Sequence, residues 1–396
     1  MIKGKKIIVG ITGGIAAYKA ILLTRLLIKA GAEVQIIMTP AAKDFVTPLT
    51  LSTLSKRPVI IDLFNEQAWE NHVALGRWAD LMLIAPASCN TIAKMANGLC
   101  DNMLLATYLS ATCAVWIAPA MDEDMWHHKS TQLNLEKISS FGNHIIPSEE
   151  GELASGLFGM GRMAEPETIL QAIEHFFTPK ILLGKKVLIT AGPTYEPIDP
   201  VRFIGNRSSG KMGIALAKAA AAAGAEVTLV LGPSSIDISA LPVNVVKVET
   251  AEEMFQAAMK EQKNFDIAIL SAAVADYTPE TVAEEKIKKS GDALSLHLKK
   301  TKDILGVLGK EKSNGQIVVG FALETHNAEA YAQEKLQRKN ADMIVMNSLQ
   351  DPNAGFGYNT NTVTIFTHQQ KPQAFPNQSK DNVAKAILAE IQKITA

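Results

Sequence analysis

Residues 187–213 read VLITAGPTYEPIDPVRFIGNRSSGKMG, and the rest of the chain is organised around this stretch. The apolar run at 187–190 predicts a buried strand, and the Ala-rich run after Lys211 predicts a helix. About twenty residues separate them, whereas strand-to-helix loops in α/β units usually take about two to six. Because loops longer than about 12 to 15 residues are mostly functional, we expect a binding site here.

The end of this loop predicts an anion site. Ser208, Ser209, Gly210 and Lys211 come where the helix begins, so hydroxyls, free backbone N–H groups and an ammonium converge there. Residues Gly205 to Lys211 match the first seven positions of the P-loop pattern G-x-x-x-x-G-K-[ST]. The eighth position is Met212, which offers no hydroxyl to Mg²⁺, so an ordinary P-loop is not expected.

Length and composition indicate a two-domain enzyme. The chain has 396 residues, and domains typically contain about 100 to 200. Its net charge of −1 gives no indication that it binds nucleic acid or an anionic membrane. Cysteine and histidine spacings match neither a disulfide framework nor a zinc site. Because no signal peptide or membrane span is predicted either, we expect a soluble, cytoplasmic protein.

Two similar units are expected along the chain. Residues 6–38 contain, in order, the sequence patterns of a strand, a glycine-rich turn, a helix and a second strand. This order predicts a βαβ unit with a parallel sheet. The sequence GAEVQIIMTP at 31–40 has a counterpart, GAEVTLVLGP, at 224–233. We predict an α/β fold of two Rossmann-like doubly wound domains, with the boundary near Pro179 separating residues 1–180 from 181–396.

Neither unit predicts a nicotinamide dinucleotide site. The first turn misses the G-x-G-x-x-G pattern, and the second strand ends in Met38 and Thr39 rather than in an acid for a ribose hydroxyl. Gly13 and Gly14 still precede a helix, so their N–H groups suit a mononucleotide phosphate. Residues 151–163, GELASGLFGMGRM, lack periodicity and predict either a mobile flap or an ordinary surface loop.

The segments of this chain resemble those of one family, the bifunctional coenzyme A biosynthesis proteins. These proteins join a phosphopantothenoylcysteine decarboxylase to a phosphopantothenate–cysteine ligase. The matching motifs follow the family order over nearly the whole chain: GGIAAYK, NHVALGRWADL, PAMDEDMW, the stretch at 187–213, AAVADY, EKIKK and GFALET. The resemblance implies that the protein joins 4′-phosphopantothenate to L-cysteine and decarboxylates the phosphopantothenoylcysteine product to 4′-phosphopantetheine.

By this resemblance, the N-terminal half is a flavoprotein that binds FMN and packs as trimers. The flavin oxidises the cysteinyl thiol to a thioaldehyde, which makes an electron sink next to the carboxylate. His72 matches the family's base, a role that suits an imidazole with an ordinary pKa of about 6.5. Without the motif, a single histidine before a helix is more often a surface residue. The matched FMN positions are Gly13, Gly14, Ile15, Thr39, Phe45, Pro86, Ala87 and Ser88.

The C-terminal half resembles the ligase, which pairs as dimers and uses CTP to activate the phosphopantothenate carboxylate as an acyl-cytidylate. Asn206 matches the residue that contacts this intermediate, and Lys286 is a second catalytic candidate. Lysines suit a Mg²⁺-bound triphosphate, although a basic run such as EKIKK is otherwise more often a solvated face. Besides the anion site at 208–211, the matched CTP positions are Leu270, Ser271, Ala272, Asp276, Lys286, Lys302, Asp303, Ile304, Leu305, Phe321, Lys335 and Lys339. The metal ligands are not identified.

Two catalytic candidates depart from the usual family pattern. Asp122 stands in place of an asparagine, and Ser155 stands where a flap cysteine is expected to donate the last proton. Three hypotheses therefore stay open: the bifunctional enzyme, a ligase whose flavin half is structural or impaired in decarboxylation, and an unrelated two-domain nucleotide-binding protein.

Overall fold

The computed structural model describes residues 2–63, 71–239, 241–288, 294–324, 328–348, 357–368 and 370–395. The last residue of the EKIKK motif and the threonine of GFALET lie outside these ranges. The chain divides into two compact units, Met1–Thr178 and Pro179–Ala396. Within the described residues, no helix is both long and apolar enough to cross a membrane.

The first unit is a parallel sheet with helices on both faces. Its strands are β1 (Lys6–Ile11), β2 (Glu33–Met38), β3 (Leu81–Ala87), β4 (Ala114–Pro119) and β5 (His144–Ile145), followed by β6 (Glu149–Glu152) and β7 (Phe158–Arg162). Its helices are α1 (Ala17–Lys29), α2 (Pro48–Ser55), α3 (His72–Trp78), α4 (Cys89–Ala96), α5 (Met103–Leu109), α6 (Glu123–His127), α7 (Lys129–Ser140) and α8 (Pro166–Phe176), with a 3₁₀ helix at Pro40–Asp44. In the described part, the sheet order is β2-β1-β3-β4-β5, all parallel.

Alternate residues of the central strands pack into two cores. Ile7 and Val9 of β1 contact the core that contains α1 and α8, whereas Ile8 faces the core that contains α4 and α5. A strand buried on both faces has a continuous apolar sequence, which is why β1 is recognisable before the structure is known. The βαβ unit predicted at 6–38 is confirmed, since β1 and β2 pair in parallel across α1.

The second unit is a larger sheet of the same kind, extended by an antiparallel edge. Its strands are β8 (Lys186–Ala191), β9 (Tyr195–Asp199), β10 (Arg202–Gly205), β11 (Glu226–Leu231), β12 (Asn244–Lys247), β13 (Ile267–Leu270), β14 (Tyr277–Pro279), β15 (Leu298–Lys300), β16 (Ile317–Glu324), β17 (Met343–Ser348), β18 (Thr360–Thr367) and β19 (Gln373–Ser379). Its helices are α9 (Lys211–Ala222), α10 (Ala251–Lys260), α11 (Ile304–Glu311), α12 (Ala328–Arg338) and α13 (Lys380–Thr395). Among the described strands the order is β12-β11-β8-β13-β16-β17-β18-β19, parallel as far as β17 and antiparallel beyond it.

Two segments that the sequence left irregular form hairpins. The loop after β8 contains the antiparallel pair β9 and β10, and most of residues 151–163 belongs to the antiparallel hairpin of β6 and β7, which begins at Glu149. Glycines hide the alternating pattern of the second hairpin, because they stand where the chain passes close to neighbouring groups. Gly161, at φ 128°, passes Met121 O, and a Cβ on Gly151 would lie 3.1 Å from the Arg162 guanidinium.

Two candidate active sites

A cavity of about 610 Å³ lies at the carboxyl ends of the strands in the first unit. Four segments form its wall: the turn before α1, the start of α4, the residues after β4, and the β6–β7 hairpin. Ligands of open α/β sheets bind at this edge. Its lining residues are Gly13, Gly14, Ile15, Ala16, Tyr18, Lys19, Ser88, Cys89, Ala120, Met121, Asp122, Met125, Glu152, Leu153, Ala154, Gly161, Arg162 and Met163.

Buried Thr12 ties together the two loops at the base of this cavity. Its Oγ1 donates to Pro86 O at 2.8 Å and accepts from Ser88 N at 2.9 Å, so the end of β1 is joined to the end of β3. Gly13 fits close to the following 3₁₀ helix, since a Cβ there would lie 2.8 Å from Ala41 Cβ. At Ala16, the N-cap of α1, no side chain caps the helix. The N–H groups of the first turn can therefore bind an anion in the cavity.

Two basic side chains that the sequence analysis missed also line this cavity. Lys19 is 4% exposed, and its Nζ donates to Met163 O at 2.7 Å and to Glu165 Oε1 at 2.9 Å. Arg162 Nη2 donates to the same Glu165 oxygen at 2.7 Å. These hydrogen bonds, first that of Lys19, hold the pKa of Glu165 below its ordinary value. A lysine within the apolar stripe of α1 was the signal in the sequence, since buried lysines are rare unless paired.

The structure brings only part of the first set of predicted residues together. Gly13, Gly14, Ile15, Ser88 and Asp122 line the cavity, and the backbone of Pro86 and Ala87 leads into it. Among the described residues, Thr39, Phe45, His72 and Ser155 are not part of its lining. Thr39 and Phe45 flank the 3₁₀ helix, His72 begins α3, and Ser155 is exposed between β6 and β7.

Two side chains in the cavity wall, those of Asp122 and Cys89, carry an acidic group. Asp122 caps α6, because its Oδ1 accepts from Glu123 N at 2.9 Å, so one oxygen of its carboxylate already binds a backbone N–H group. Cys89, which the sequence analysis did not select, brings a thiol to the same wall, where its Sγ lies 3.2 Å from Met121 Sδ.

The second unit has a smaller cavity, of about 120 Å³, at the corresponding edge of its sheet. It is lined by Ser208, Ser209, Gly210, Lys211, Met212, Gly213, Ser271, Ala272, Ala273, Phe321, Ala322, Leu323, Asn347, Asn361 and Lys380. The N-cap of α9 is Gly210 at φ 79°, a left-handed conformation that favours glycine, and it supplies no side-chain cap. Gly213 lets the start of α9 approach the sheet, since a Cβ there would lie 2.6 Å from Ser271 Oγ.

The predicted loop residues gather around this cavity. Ser208, Ser209, Gly210, Lys211, Ser271, Ala272 and Phe321 line it, and Leu270 is the buried end of β13. Asn206 lies next to it, because its Nδ2 donates to Ala273 O at 2.9 Å and to Val274 O at 3.1 Å. Lys380 and Asn361 line it as well, but the sequence analysis did not select them.

Several of the other predicted CTP residues lie at or near α11 and α12. Asp303 caps α11 by accepting from Gly306 N at 3.0 Å, and it forms an ion pair with Lys339. Burial raises the pKa of Asp303, but the hydrogen bonds from Lys339 and Gly306 outweigh that effect and leave it below its ordinary value. Lys335 Nζ donates to Phe321 O at 2.8 Å, which connects this group to β16. Lys302 forms an ion pair with Glu252 at 2.7 Å, whereas Ile304 and Leu305 pack into the core.

Lys286 and Asp276 are both exposed, and the segment of Lys286 is held to the β9–β10 hairpin through Asp199. The Asp199 carboxylate accepts from Ile287 N at 3.1 Å, and Arg202 Nη2 donates to Ile287 O at 2.9 Å. Hydrogen bonds from the Arg202 side chain hold the pKa of Asp199 well below its usual range. Within the described residues, no group of three or more His, Cys, Asp or Glu side chains is arranged to bind a metal ion.

The family models that match this chain correspond to its two units. The flavoprotein family model matches residues 1–178, and the model described as DNA/pantothenate metabolism flavoprotein, C-terminal domain, matches residues 182–395. The coenzyme A biosynthesis bifunctional protein CoaBC of Vibrio cholerae serotype O1 is 47% identical over 389 residues, which cover 97% of each chain. This chain belongs to the bifunctional coenzyme A biosynthesis family. The resemblance read from the sequence is thereby confirmed, and an unrelated two-domain nucleotide-binding protein is excluded.

A protein with a different name is also similar to this chain. A cysteine/cysteine sulfinic acid decarboxylase from an unknown prokaryotic organism is 54% identical over 353 residues, covering 87% of this chain and 98% of its own. Among solved structures, the C-terminal domain of a CoaBC protein is 43% identical; the match covers 54% of this chain and 97% of that one, with a TM-score of 0.47.

Proposed function

We propose that this protein is a bifunctional enzyme of coenzyme A biosynthesis. It ligates 4′-phosphopantothenate with L-cysteine in residues 181–396 and decarboxylates the phosphopantothenoylcysteine formed in residues 1–180. One observation carries the proposal. In both units a helix N-terminus without a side-chain cap, that of α1 or of α9, lies beside a cavity at the edge of the sheet and can bind an anion. The chain is similar to CoaBC proteins over both units.

FMN is the cofactor that we propose for the first cavity. A volume of about 610 Å³ lies in the range of about 300 to 1,000 Å³ that small-molecule sites occupy. Gly13, Gly14 and Ile15 would bind the phosphate through backbone N–H groups, and the loop of Pro86, Ala87 and Ser88 would lie against the ring. When bound, the flavin supplies the oxidation that makes the carboxylate able to leave. His72 is our proposed base for the substrate thiol.

For ligation, we propose that CTP and Mg²⁺ bind between the α9 cavity and the two lysines at the C-terminal end of α12, Lys335 and Lys339. Asn206 would contact the activated carboxylate, and Lys286, carried on the segment held by Asp199, would approach the phosphates from the exposed side. Lys335 Nζ donates to Phe321 O, and Lys339 forms an ion pair with Asp303. These contacts would hold both ammonium groups in place before a nucleotide arrives.

We further propose that the protein works as a cytoplasmic oligomer, with trimers of the first unit and dimers of the second. Tyr18 and Leu22, on one face of α1, are 53% and 51% exposed, and Ile15, just before the helix, is 61% exposed. This apolar stripe begins at the rim of the first cavity, where Ile15 and Tyr18 also line the wall. A neighbouring copy covering the stripe would bring further residues to the flavin site.

A second candidate substrate for the first unit is free cysteine or cysteine sulfinic acid. The observation that favours it is the decarboxylase of that name, 54% identical over nearly its whole length. Asp122 adds a chemical reason, since a carboxylate pairs with the α-ammonium of a free amino acid, whereas the same nitrogen is an uncharged amide in phosphopantothenoylcysteine.

The test begins with purified full-length protein, which should be yellow and release FMN on denaturation. A colourless protein that takes up no FMN contradicts the flavin assignment. Phosphopantothenate, cysteine, CTP and Mg²⁺ are then supplied, and the products are resolved by mass. In parallel, CO₂ release is measured from phosphopantothenoylcysteine, cysteine and cysteine sulfinic acid. Preference for either free amino acid contradicts the proposed substrate of the first unit and leaves ligation to be judged by its own product.

A further inference from the structure

Three charged side chains, those of Lys19, Arg162 and Glu165, meet beside the first cavity. Lys19 Nζ and Arg162 Nη2 both donate to the same glutamate oxygen, Oε1, at 2.9 and 2.7 Å. In the part of the chain that the structure describes, no other carboxylate forms an ion pair with either cation. Two cations therefore share one carboxylate, and the excess positive charge favours an anion in the cavity.

Of the two cations, Arg162 is the one that a ligand can reach. Lys19 is 4% exposed and also donates to Met163 O, whereas the side chain of Arg162 is 41% exposed. A guanidinium has five N–H donors, and among the described residues Glu165 is the only acceptor bonded to this one. Arg162 therefore keeps donors for a ligand, in a planar fork that matches the two oxygens of a carboxylate.

The surroundings of Arg162 hold its guanidinium in position before a ligand binds. Glu165 is itself fixed, because its backbone N–H donates to Glu149 Oε1 at 3.1 Å. Gly151 of β6 leaves room for the guanidinium, since a Cβ there would lie 3.1 Å from Arg162 Nη1. A donor that is already in place loses less conformational entropy when a ligand binds.

Asp122 lies in the neighbouring segment of the wall and cannot bind a substrate carboxylate in its ionised form. Met121 N donates to Gly161 O at 3.0 Å, so Asp122 and Arg162 each directly follow one member of a bonded pair. An ionised aspartate only accepts hydrogen bonds, and it repels another carboxylate. A substrate carboxylate in this cavity therefore needs a donor from elsewhere in the wall.

We propose that Arg162 binds the carboxylate of the decarboxylation substrate, the group that Asp122 repels. Phosphopantothenoylcysteine, cysteine and cysteine sulfinic acid all carry a carboxylate on the carbon next to nitrogen, so the assignment holds for each candidate substrate. The inference rests on the proposed decarboxylation in the first unit. It adds the residue that orients the group to be lost.

The experiment uses two unreactive probes that differ only in the carboxylate. Phosphopantothenoylserine carries it and phosphopantothenoylethanolamine lacks it, and in both a hydroxyl replaces the reactive thiol. Binding to the full-length protein is followed by the change in flavin absorbance, which reports on the first unit alone. Wild type should bind the serine probe at least about tenfold more tightly, the effect of a charge-assisted contact. Equal affinities for the two probes overturn the inference.

Arg162→Gln should weaken binding of the serine probe about ten- to a hundredfold and leave the ethanolamine probe within about twofold. The matched control is Arg57→Gln, which should bind both probes like wild type. Arg57 also pairs with a glutamate, Glu33, and its side chain is 38% exposed, but it does not line the cavity. If Arg162→Gln weakens both probes equally, the guanidinium binds the phosphoryl end and the inference is wrong. Unchanged binding of both probes is equally contradictory.

Asp122→Asn covers the case in which Arg162→Gln does not fold or loses its flavin. An asparagine can still cap α6, and the substitution removes the like charge beside the substrate carboxylate. This variant should bind the serine probe about two- to tenfold more tightly than wild type and the ethanolamine probe equally well. A serine probe that is unaffected shows that the carboxylate does not lie at this wall. Wild type that prefers the serine probe but releases no CO₂ contradicts the proposed decarboxylation instead, and a colourless protein contradicts both.

Discussion

Ser155 lies exposed at the turn between β6 and β7, where its Oγ accepts a hydrogen bond from Leu157 N at 3.4 Å. A serine hydroxyl is a far weaker acid than a thiol, whose ordinary pKa is about 8.5. We therefore expect Ser155→Ala to change decarboxylation by no more than about twofold, as for a surface substitution. Stopped-flow flavin absorbance with phosphopantothenoylcysteine measures it. If Ser155→Ala alone leaves the flavin reduced, serine is the proton donor and the argument from acidity is wrong.

Asp199 is a second residue whose surroundings lead to a prediction. It is 2% exposed and accepts hydrogen bonds from Arg202 and from Ile287 N, next to Lys286. Asp199→Asn removes the charge that holds this segment, so kcat/KM for ligation should fall roughly tenfold at pH 7. The control is Asp237→Asn, an exposed aspartate that accepts from Ser239 N at 2.9 Å. Equal effects of the two substitutions would contradict this role.

The same carboxylate sets a pH window. Its pKa is depressed in the folded protein, so its stabilising effect is complete above the ordinary pKa of about 4 and is lost as the pH falls below that value. Thermal unfolding of wild type and Asp199→Asn should therefore differ at pH 7 and converge progressively as the pH falls below about 4 towards the depressed pKa of Asp199. A difference that persists unchanged at the lowest pH would show that the charge of Asp199 is not responsible.

At the scale of elements, the closeness of α9 to the sheet decides where its N-terminus points. Gly213 makes this contact possible, since a side chain there would overlap Ala191 and Ser271. Gly213→Ala should push α9 outward and lower ligation by at least about tenfold, because small displacements of a positioned group are costly. Decarboxylation by the first unit is the internal control. Normal ligation by this variant would mean that the helix position is not critical.

Helix α10 allows a separate test of element stability. Thr250 forms a capping box with Glu253: the threonine Oγ1 accepts from Glu253 N at 3.2 Å, and the glutamate Oε2 accepts from Thr250 N at 3.4 Å. Thr250→Ala should lower the free energy of unfolding of the second unit by about 1 kcal/mol. Thr250→Ser keeps the hydroxyl and should retain most of that stability in urea denaturation. A serine variant as weak as the alanine variant would contradict the capping explanation.

At the scale of the whole molecule, a substitution in one unit should remove that unit's activity and leave the activity of the other unit intact. His72→Asn should lower CO₂ release by about 10² to 10⁴, the effect of a positioned acid or base, while ligation stays near wild type. Asn206→Ala should abolish ligation and leave decarboxylation of supplied phosphopantothenoylcysteine intact. Both activities are measured on each full-length variant. If Asn206→Ala ligates normally, the 187–213 loop has no catalytic role.

Much of this fold can be predicted from patterns within single short segments of the sequence. The strands β1, β8 and β13 are apolar runs because both of their faces are buried, and α9 is an Ala-rich run that begins after a glycine. The anion site at 208–211 was also predictable, because its donors are adjacent in sequence. The hairpins β6–β7 and β9–β10 were missed, since glycines and prolines interrupt the alternation on which a strand prediction depends.

The sequence by itself determined the α/β class, the family and the residues of the loop around which the chain is organised, because each depends on neighbours along the chain. Only the tertiary structure decided which side chains share a cavity. Lys211 contacts Asn359 although 148 positions separate them, because β18 pairs with β17 in the sheet and α13 then packs against α9. Lys380 and Lys211 line the same cavity because the chain returns in this way. No local pattern marks it, since a lysine at the start of a helix has the same sequence whether it is buried or in solvent.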